Sequence, residues 1–142
     1  MKKRLTLAID FDGTLVEHRY PAIGAEIPFA VDTLKMLQAE GYRLILWSVR
    51  EGSLLDEAEE WCKKRGLTFY AINKNYPEET IEDDLYSRKL KADLFIDDRN
   101  IGGLPDWGVI YQMISQGKSL QEILLQGLDN QSEPKKKKWK LF

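Results

Sequence analysis

The stretch of sequence that decides the fold is Leu5-Thr6-Leu7-Ala8-Ile9-Asp10-Phe11-Asp12-Gly13-Thr14-Leu15. Its first five residues form an apolar run that is typical of a buried strand, and two carboxylates follow where the strand should end. Gly13 then allows the backbone to turn sharply. Two carboxylates held close together repel each other unless a cation or a shared proton relieves them, and Mg2+ commonly binds one or two carboxylates together with phosphate oxygens. We therefore interpret Asp10 and Asp12 as candidate metal-binding residues.

Length and composition are those of an ordinary globular chain. The 142 residues, 43% apolar and 31% charged, are enough for one domain with a substantial core. We find no signal-peptide or membrane-spanning pattern and expect no membrane partner. Cys62 is the only cysteine, so an internal disulfide is excluded and a reducing, cytoplasmic setting is favoured. Its position on a helical apolar stripe indicates packing rather than nucleophilic chemistry.

The net charge of −2 hides an asymmetry between the two parts of the chain. Residues 133–142 carry a net charge of +4, which leaves −6 for the rest. An acidic body is a poor binder of polyanions such as nucleic acid. We predict a folded domain over residues 1–128 and a basic, disordered tail over residues 129–142.

Apolar runs alternate with helical patterns along the chain. The helical patterns begin at Pro28, at Ser53 (which forms a capping-box pattern with Asp56) and at Ser119 (which forms one with Glu122). This alternation predicts a three-layer α/β sandwich around a central, mainly parallel sheet with its first strand in the interior. The predicted strands are 5–9, 43–47, 67–72 and 92–96, with a short fifth strand at 109–111.

Polar residues follow three of these strands at their carboxyl ends. Asp10 and Asp12 follow the first strand, Ser48 the second, and Asp97 with Asp98 the fourth. In open parallel sheets, ligands bind outside the carboxyl ends of the strands, at the point where the strand order reverses. The sequence therefore predicts that all five residues share one crevice.

These motifs resemble those of the haloacid dehalogenase-like (HAD) hydrolase superfamily, and specifically its small, capless phosphatases. The first motif matches Asp10-Phe11-Asp12-Gly13-Thr14, the second matches Ser48, and the acidic fourth motif matches Asp97-Asp98. The third motif is a lysine upstream of the acidic pair. We assign it to Lys89, with Lys74 and Lys91 as the alternatives.

The resemblance implies a Rossmann-like catalytic domain and a Mg2+-dependent phosphomonoester hydrolase. In that interpretation Asp10 is the nucleophile that forms an aspartyl-phosphate, and Asp12 is the general acid and then the general base. Mg2+ is held by Asp10, by the backbone carbonyl of Asp12 and by Asp97, with Asp98 as a further ligand or support. Ser48 and Lys89 bind the phosphoryl oxygens.

The chain has no room for the cap domain that many relatives carry. Ser48 follows Asp12 by 36 positions and Lys89 follows Asn73 by 16, whereas an independent domain needs roughly 50 residues. We expect residues 16–27 to form a flap over an open site, which a second subunit of a homo-oligomer could cover. We assign candidate substrate contacts to Gly13, Thr14, His18, Arg19 and Arg50.

The sequence leaves the phosphorylated substrate unidentified and two other functions open. One is a phosphatase for nucleic-acid ends, which the open site and the basic tail support and the acidic body disfavours. The other is a module that binds or accepts phosphate without turnover. Such receivers carry their acidic pair after the first strand and their acceptor after a later one, an order that differs from the Asp-x-Asp-x-Thr run here.

Overall fold

The first predicted strand lies in the interior of a parallel sheet, as expected. A computed structural model describes residues 5–119 and 121–127. Its four-stranded sheet in these residues has the order β3-β2-β1-β4, and every neighbouring pair is parallel. The strands are β1 (Thr6–Ile9), β2 (Arg43–Leu46), β3 (Ala71–Ile72) and β4 (Leu94–Ile96). The predicted α/β fold with a parallel sheet is therefore confirmed.

Both faces of β1 are buried, which explains its unbroken apolar sequence. Leu7 is 0% exposed and the next residue, Ala8, which points to the opposite face, is 1% exposed. Ala8 is in register with Ile45 of β2 and Phe95 of β4. This row forms a core cluster with Leu90 from the connection between β3 and β4. Leu7 and Ala8, which point to opposite faces of the sheet, thus both hold β1 in the protein interior.

Two helices connect the first three strands. Helix α1 (Ala30–Ala39) joins β1 to β2, and helix α2 (Gly52–Lys64) joins β2 to β3. Connections between adjacent parallel strands are almost always right-handed, and for the order β3-β2-β1 that rule assigns both helices to the same face of the sheet. The predicted capping box at Ser53 is wrong, because Ser53 lies inside the first turn of α2 and the N-cap is Glu51. Cys62 of α2 is fully buried, and this burial raises the pKa of its thiol to about 12.

The chain divides into two compact units, the first ending at Leu104 and the second beginning at Pro105. The sheet lies in the first unit. The second contains helix α3 (Trp107–Gln116), which ends at Gly117 in a left-handed conformation. Helical residues 121–127 follow, and their start is capped because the Glu122 N–H donates to the Ser119 hydroxyl (3.2 Å).

The predicted fifth strand at 109–111 is wrong, because these residues belong to α3. The buried side chains of that helix, Trp107, Ile110 and Ile114, follow the spacing of a helical face. The predicted tail, 129–142, lies outside the described residues. Among the helices in the described ranges, none combines the length and apolar content needed to span a bilayer.

Candidate active site

The acidic residues of the first and fourth motifs meet at the carboxyl ends of β1 and β4. The Asp10 N–H donates to the Ile96 carbonyl (3.0 Å), which extends the parallel pairing one residue beyond β1. Asp97 and Asp98 follow immediately. The strand order reverses between these two strands, because β2 lies on one side of β1 and β4 on the other. The site therefore forms at the switch point of the sheet.

Three carboxylates form one compact cluster there. Asp10, Asp97 and Asp98 each offer an oxygen, and these oxygens all lie within 4.8 Å of one another. The buried Thr14 hydroxyl donates to Asp10 Oδ2 (3.1 Å) and accepts the Asp98 N–H (3.2 Å). One side chain of the first motif thus holds both ends of the cluster in place.

The electrostatics of the cluster fit a cation. Burial raises the pKa of Asp10 to about 8, and a hydrogen bond with Asp98 and the charge of Asp97 add to this effect, whereas the Thr14 hydrogen bond opposes it. Within the described residues, the buried Oδ1 of Asp98 has no hydrogen-bond partner. A buried carboxylate oxygen is costly to leave without a partner, and a hard cation with oxygen ligands would satisfy it. The donor set therefore fits Mg2+.

Gly13 provides the space in which Asp98 sits. Its φ is +86°, and a Cβ atom built on it would lie 2.1 Å from Asp98 Oδ2. The expectation that Gly13 and Thr14 contact substrate is corrected: neither lines the pocket described below, and both serve to place the carboxylates.

Asp12 is directed away from the cluster and toward Arg50. Its two carboxylate oxygens accept hydrogen bonds from Arg50 Nε and Nη2, both at 2.8 Å. Its side chain therefore does not join the carboxylates of the metal candidate, although one edge of Asp12 still faces the pocket. The expectation that Arg50 binds a substrate anion is wrong, because its side chain is fully buried and engaged within the protein.

Ser48 is held by an asparagine that the sequence motifs did not indicate. Asn73 Oδ1 accepts the Ser48 N–H (2.8 Å), and Asn73 Nδ2 donates to the Ser48 carbonyl (2.9 Å). Asn73 has φ +55°, a conformation that asparagine tolerates better than most residues. The Ser48 hydroxyl accepts the Arg50 N–H (3.1 Å) and can still donate its own hydrogen to a bound group. The only sequence signal for Asn73 was its place directly after a strand.

A pocket of about 460 Å3 opens beside these groups, within the size range of small-molecule sites. Trp47, Tyr20 and Val49 supply its apolar walls, and His18 of the flap also lines it. The lining residues are Asp10, Asp12, His18, Tyr20, Trp47, Ser48, Val49, Asp97 and Arg99.

The flap is a short hairpin over one side of this pocket. Glu17 N–H donates to the Ala25 carbonyl (2.8 Å) and Ile27 N–H to the Leu15 carbonyl (2.9 Å), so the base of the hairpin is closed. Arg19, a predicted substrate contact, instead pairs with Glu17 and with the His18 carbonyl. It does not line the pocket.

The predicted active-site lysine is not found in the pocket. Lys89 is exposed, and its Nζ lies 5.4 Å from the centre of the Phe95 ring. Lys74 and Lys91 are also exposed, and neither lines the pocket. Among the described residues, Arg99 is the arginine or lysine that lines the pocket, and its signal in the sequence is its position directly after Asp97-Asp98.

Comparison with known proteins identifies a relative but no activity. No family model matches the chain, and no curated protein matches it. A solved structure does: a conserved protein from Bacteroides thetaiotaomicron is 68% identical, with a TM-score of 0.81. The match covers 85% of this chain and 98% of that one. The chain therefore belongs to the same protein family as this conserved Bacteroides protein.

Proposed function

We propose that the protein is a Mg2+-dependent phosphomonoester hydrolase of the HAD type that acts through an aspartyl-phosphate. The observation that carries the proposal is the cluster of Asp10, Asp97 and Asp98 at the switch point, beside a pocket that Ser48 and Arg99 line. A reducing, cytoplasmic setting belongs to the same proposal, since the chain has a single, buried cysteine and can form no internal disulfide.

The reaction proceeds in two balanced steps. In the first, a carboxylate oxygen of Asp10 attacks phosphorus, the bond from phosphorus to the leaving oxygen breaks, and Asp12 donates a proton to that oxygen. In the second, Asp12 takes a proton from water, the water oxygen attacks phosphorus, and the bond to Asp10 breaks. The products are an alcohol, inorganic phosphate and the original protein.

The remaining groups bind and orient the phosphoryl group. Asp10, Asp97 and Asp98 would hold Mg2+, which supplies positive charge that lets an anionic carboxylate approach an anionic phosphate. The Ser48 hydroxyl donates to a phosphoryl oxygen, and Arg99 takes the place that the sequence motifs assigned to Lys89. Charge that develops on the phosphoryl oxygens is stabilised by these donors.

The test is hydrolysis of p-nitrophenyl phosphate, sugar phosphates, nucleotides and 3′- or 5′-phosphorylated oligonucleotides, with Mg2+ and with a chelator. Asp10→Asn should abolish Mg2+-dependent turnover, because an amide cannot form the acyl-phosphate. Asp56→Asn, an exposed change on α2, is the matched control and should retain full activity. Retention of a tenth of wild-type activity by Asp10→Asn would refute the covalent mechanism.

A second measurement detects the intermediate itself. With a 32P-labelled aryl phosphate, whose good leaving group needs little acid catalysis, Asp12→Asn should accumulate labelled protein because the second step lacks its base. Thermal unfolding must accompany this experiment, since the change leaves the buried Arg50 without its carboxylate. Stable labelling of the wild-type protein without release of phosphate would instead favour a phospho-accepting module.

A further inference from the structure

Arg50 makes a complete set of internal hydrogen bonds at 0% exposure. Its Nε–H and one Nη2–H bind the two oxygens of Asp12. The other Nη2–H donates to the Ala22 carbonyl (3.0 Å), and the two Nη1–H groups donate to the carbonyls of Pro21 (3.2 Å) and Leu54 (3.4 Å). All five donors of the guanidinium are thereby used.

Two aromatic rings add to this arrangement. The Arg50 Cζ atom lies 5.2 Å from the ring centre of Phe11 and 5.3 Å from that of Tyr20. Phe11 stands between the two aspartates of the first motif, and Tyr20 belongs to the flap. Arg50 therefore contacts the first motif and the flap through both its charge and its flat faces.

We infer that Arg50 is a positioning residue. Its guanidinium orients Asp12 for proton transfer and also holds the flap in place. This inference rests on the proposed function, in which Asp12 is the general acid and base. A planar fork that binds both carboxylate oxygens fixes the rotation of that carboxylate. Each oxygen keeps a second lone pair, and the transferred proton is carried on one of these. Two of the three remaining donors bind the flap carbonyls of Pro21 and Ala22, and the third binds the Leu54 carbonyl of α2. The flap therefore cannot move away without loosening the guanidinium that holds Asp12.

A purely structural role explains the arrangement less well. A buried ion pair is a weak source of stability, because apolar residues of similar volume are often as stabilising or more so. Lysine, a point charge on a flexible stem, could neutralise Asp12 but could not bind both of its oxygens and three carbonyls at once. The test must therefore remove the two parallel hydrogen bonds from Arg50 to Asp12 while keeping the positive charge.

The decisive experiment compares two esters in Arg50→Lys. A general acid is needed most for a poor leaving group, so hydrolysis of an alkyl phosphate such as glycerol phosphate should fall about 100-fold. Hydrolysis of p-nitrophenyl phosphate, whose leaving group departs without a proton, should fall at least tenfold less. The loss should appear mainly in kcat for the alkyl ester, and thermal unfolding establishes that the variant is folded.

The matched control is Arg65→Lys. Arg65 stacks on Trp61 at 3.6 Å and lies 3.5 Å from Glu26 at the other end of the flap, without touching Asp12. This change should affect both esters equally and by less than about threefold, as expected for an ion pair that is partly exposed to solvent. It separates a general loosening of the flap from the loss of Asp12 orientation.

Two further measurements keep the inference testable if Arg50→Lys is poorly folded. In Arg50→Ala, added guanidinium should restore alkyl-ester hydrolysis at least tenfold better than ammonium, because only guanidinium forms the planar fork. Hydrogen exchange at the Glu17 amide, which donates to the Ala25 carbonyl (2.8 Å) and so closes the hairpin, should accelerate at least tenfold in either variant and remain unchanged in Arg65→Lys. This exchange measurement does not depend on activity.

The ester, rescue and exchange measurements each test one part of the inference about Arg50. Equal losses for the two esters, or equal rescue by both cations, would overturn the role of Arg50 in positioning Asp12. Unchanged exchange in the flap would overturn the coupling. A wild-type protein that hydrolyses neither ester would refute the proposed function and the positioning role with it, whereas the exchange experiment would still test whether Arg50 fastens the flap.

Discussion

Replacing Gly13 with alanine should weaken Mg2+ binding far more than it weakens the fold. The new methyl group would stand 2.1 Å from Asp98 Oδ2, well inside any permitted contact. The obstacle is the end of a side chain, so the carboxylate can rotate away. That rotation removes Asp98 from the cluster with Asp10 and Asp97.

The expected magnitudes separate the two effects. An alanine with positive φ costs about 1–2 kcal/mol of folding free energy, whatever surrounds it. A cation that binds only the folded protein adds about 2.7 kcal/mol when its concentration is 100 times its dissociation constant. Loss of one of three carboxylate ligands should remove at least half of that added stability.

Gly103→Ala provides the matched control. Gly103 has φ +77°, close to the +86° of Gly13, but a Cβ atom there would meet nothing within 4 Å. It carries the same backbone cost without displacing any carboxylate. Urea unfolding of both variants, with EDTA and with saturating Mg2+, isolates the contribution of Asp98. A Gly13→Ala protein that gains as much stability from Mg2+ as Gly103→Ala does would refute the reasoning.

Two further predictions concern Asp10 and Asn73. Because the pKa of Asp10 is raised from 3.8 to about 8, the folded metal-free protein binds more protons than the unfolded chain within that interval. The contribution of Asp10 to stability should therefore be complete below about pH 4 and be lost as pH rises toward about 8. Urea unfolding of wild type and Asp10→Asn in EDTA checks this difference, Mg2+ should reduce it, and an opposite slope would contradict the assigned cause. Asn73→Gly allows the same positive φ but removes both hydrogen bonds to Ser48. It should lower kcat/KM about tenfold with little change in melting temperature. Kinetics that match wild type would exclude a role of Asn73 in positioning Ser48.

Much of the fold follows from the sequence because its main determinants are local. The run Leu7-Ala8-Ile9 must be buried on both sides, and a buried parallel strand satisfies that demand. Asp10 and Asp97 could be placed together because the carboxyl ends of parallel strands meet at one edge. The predicted strand at 109–111 is wrong because a run of three apolar residues is too short to define a period, whereas Trp107, Ile110 and Ile114 together show a helical one.

The directions of long side chains could not be predicted from spacing. Arg50 follows Ser48 by two residues, yet its side chain points into the protein. There it binds the Asp12 carboxylate and three backbone carbonyls and lies against two aromatic rings. The position of Lys89 before the acidic pair predicts an active-site lysine, but in the fold its Nζ lies over the Phe95 ring. Such outcomes depend on tertiary contacts that no short motif contains.

The burial of Cys62 has a practical consequence. Its pKa of about 12 means that almost no thiolate exists at neutral pH, and it is the only cysteine in the chain. Thiol-directed alkylating reagents therefore find no reactive thiol in the native protein. Val49, at the rim of the pocket, is 73% exposed. A cysteine introduced there would carry a fluorescent or spin label as the sole reactive thiol, so ligand entry could be followed on an otherwise unmodified background.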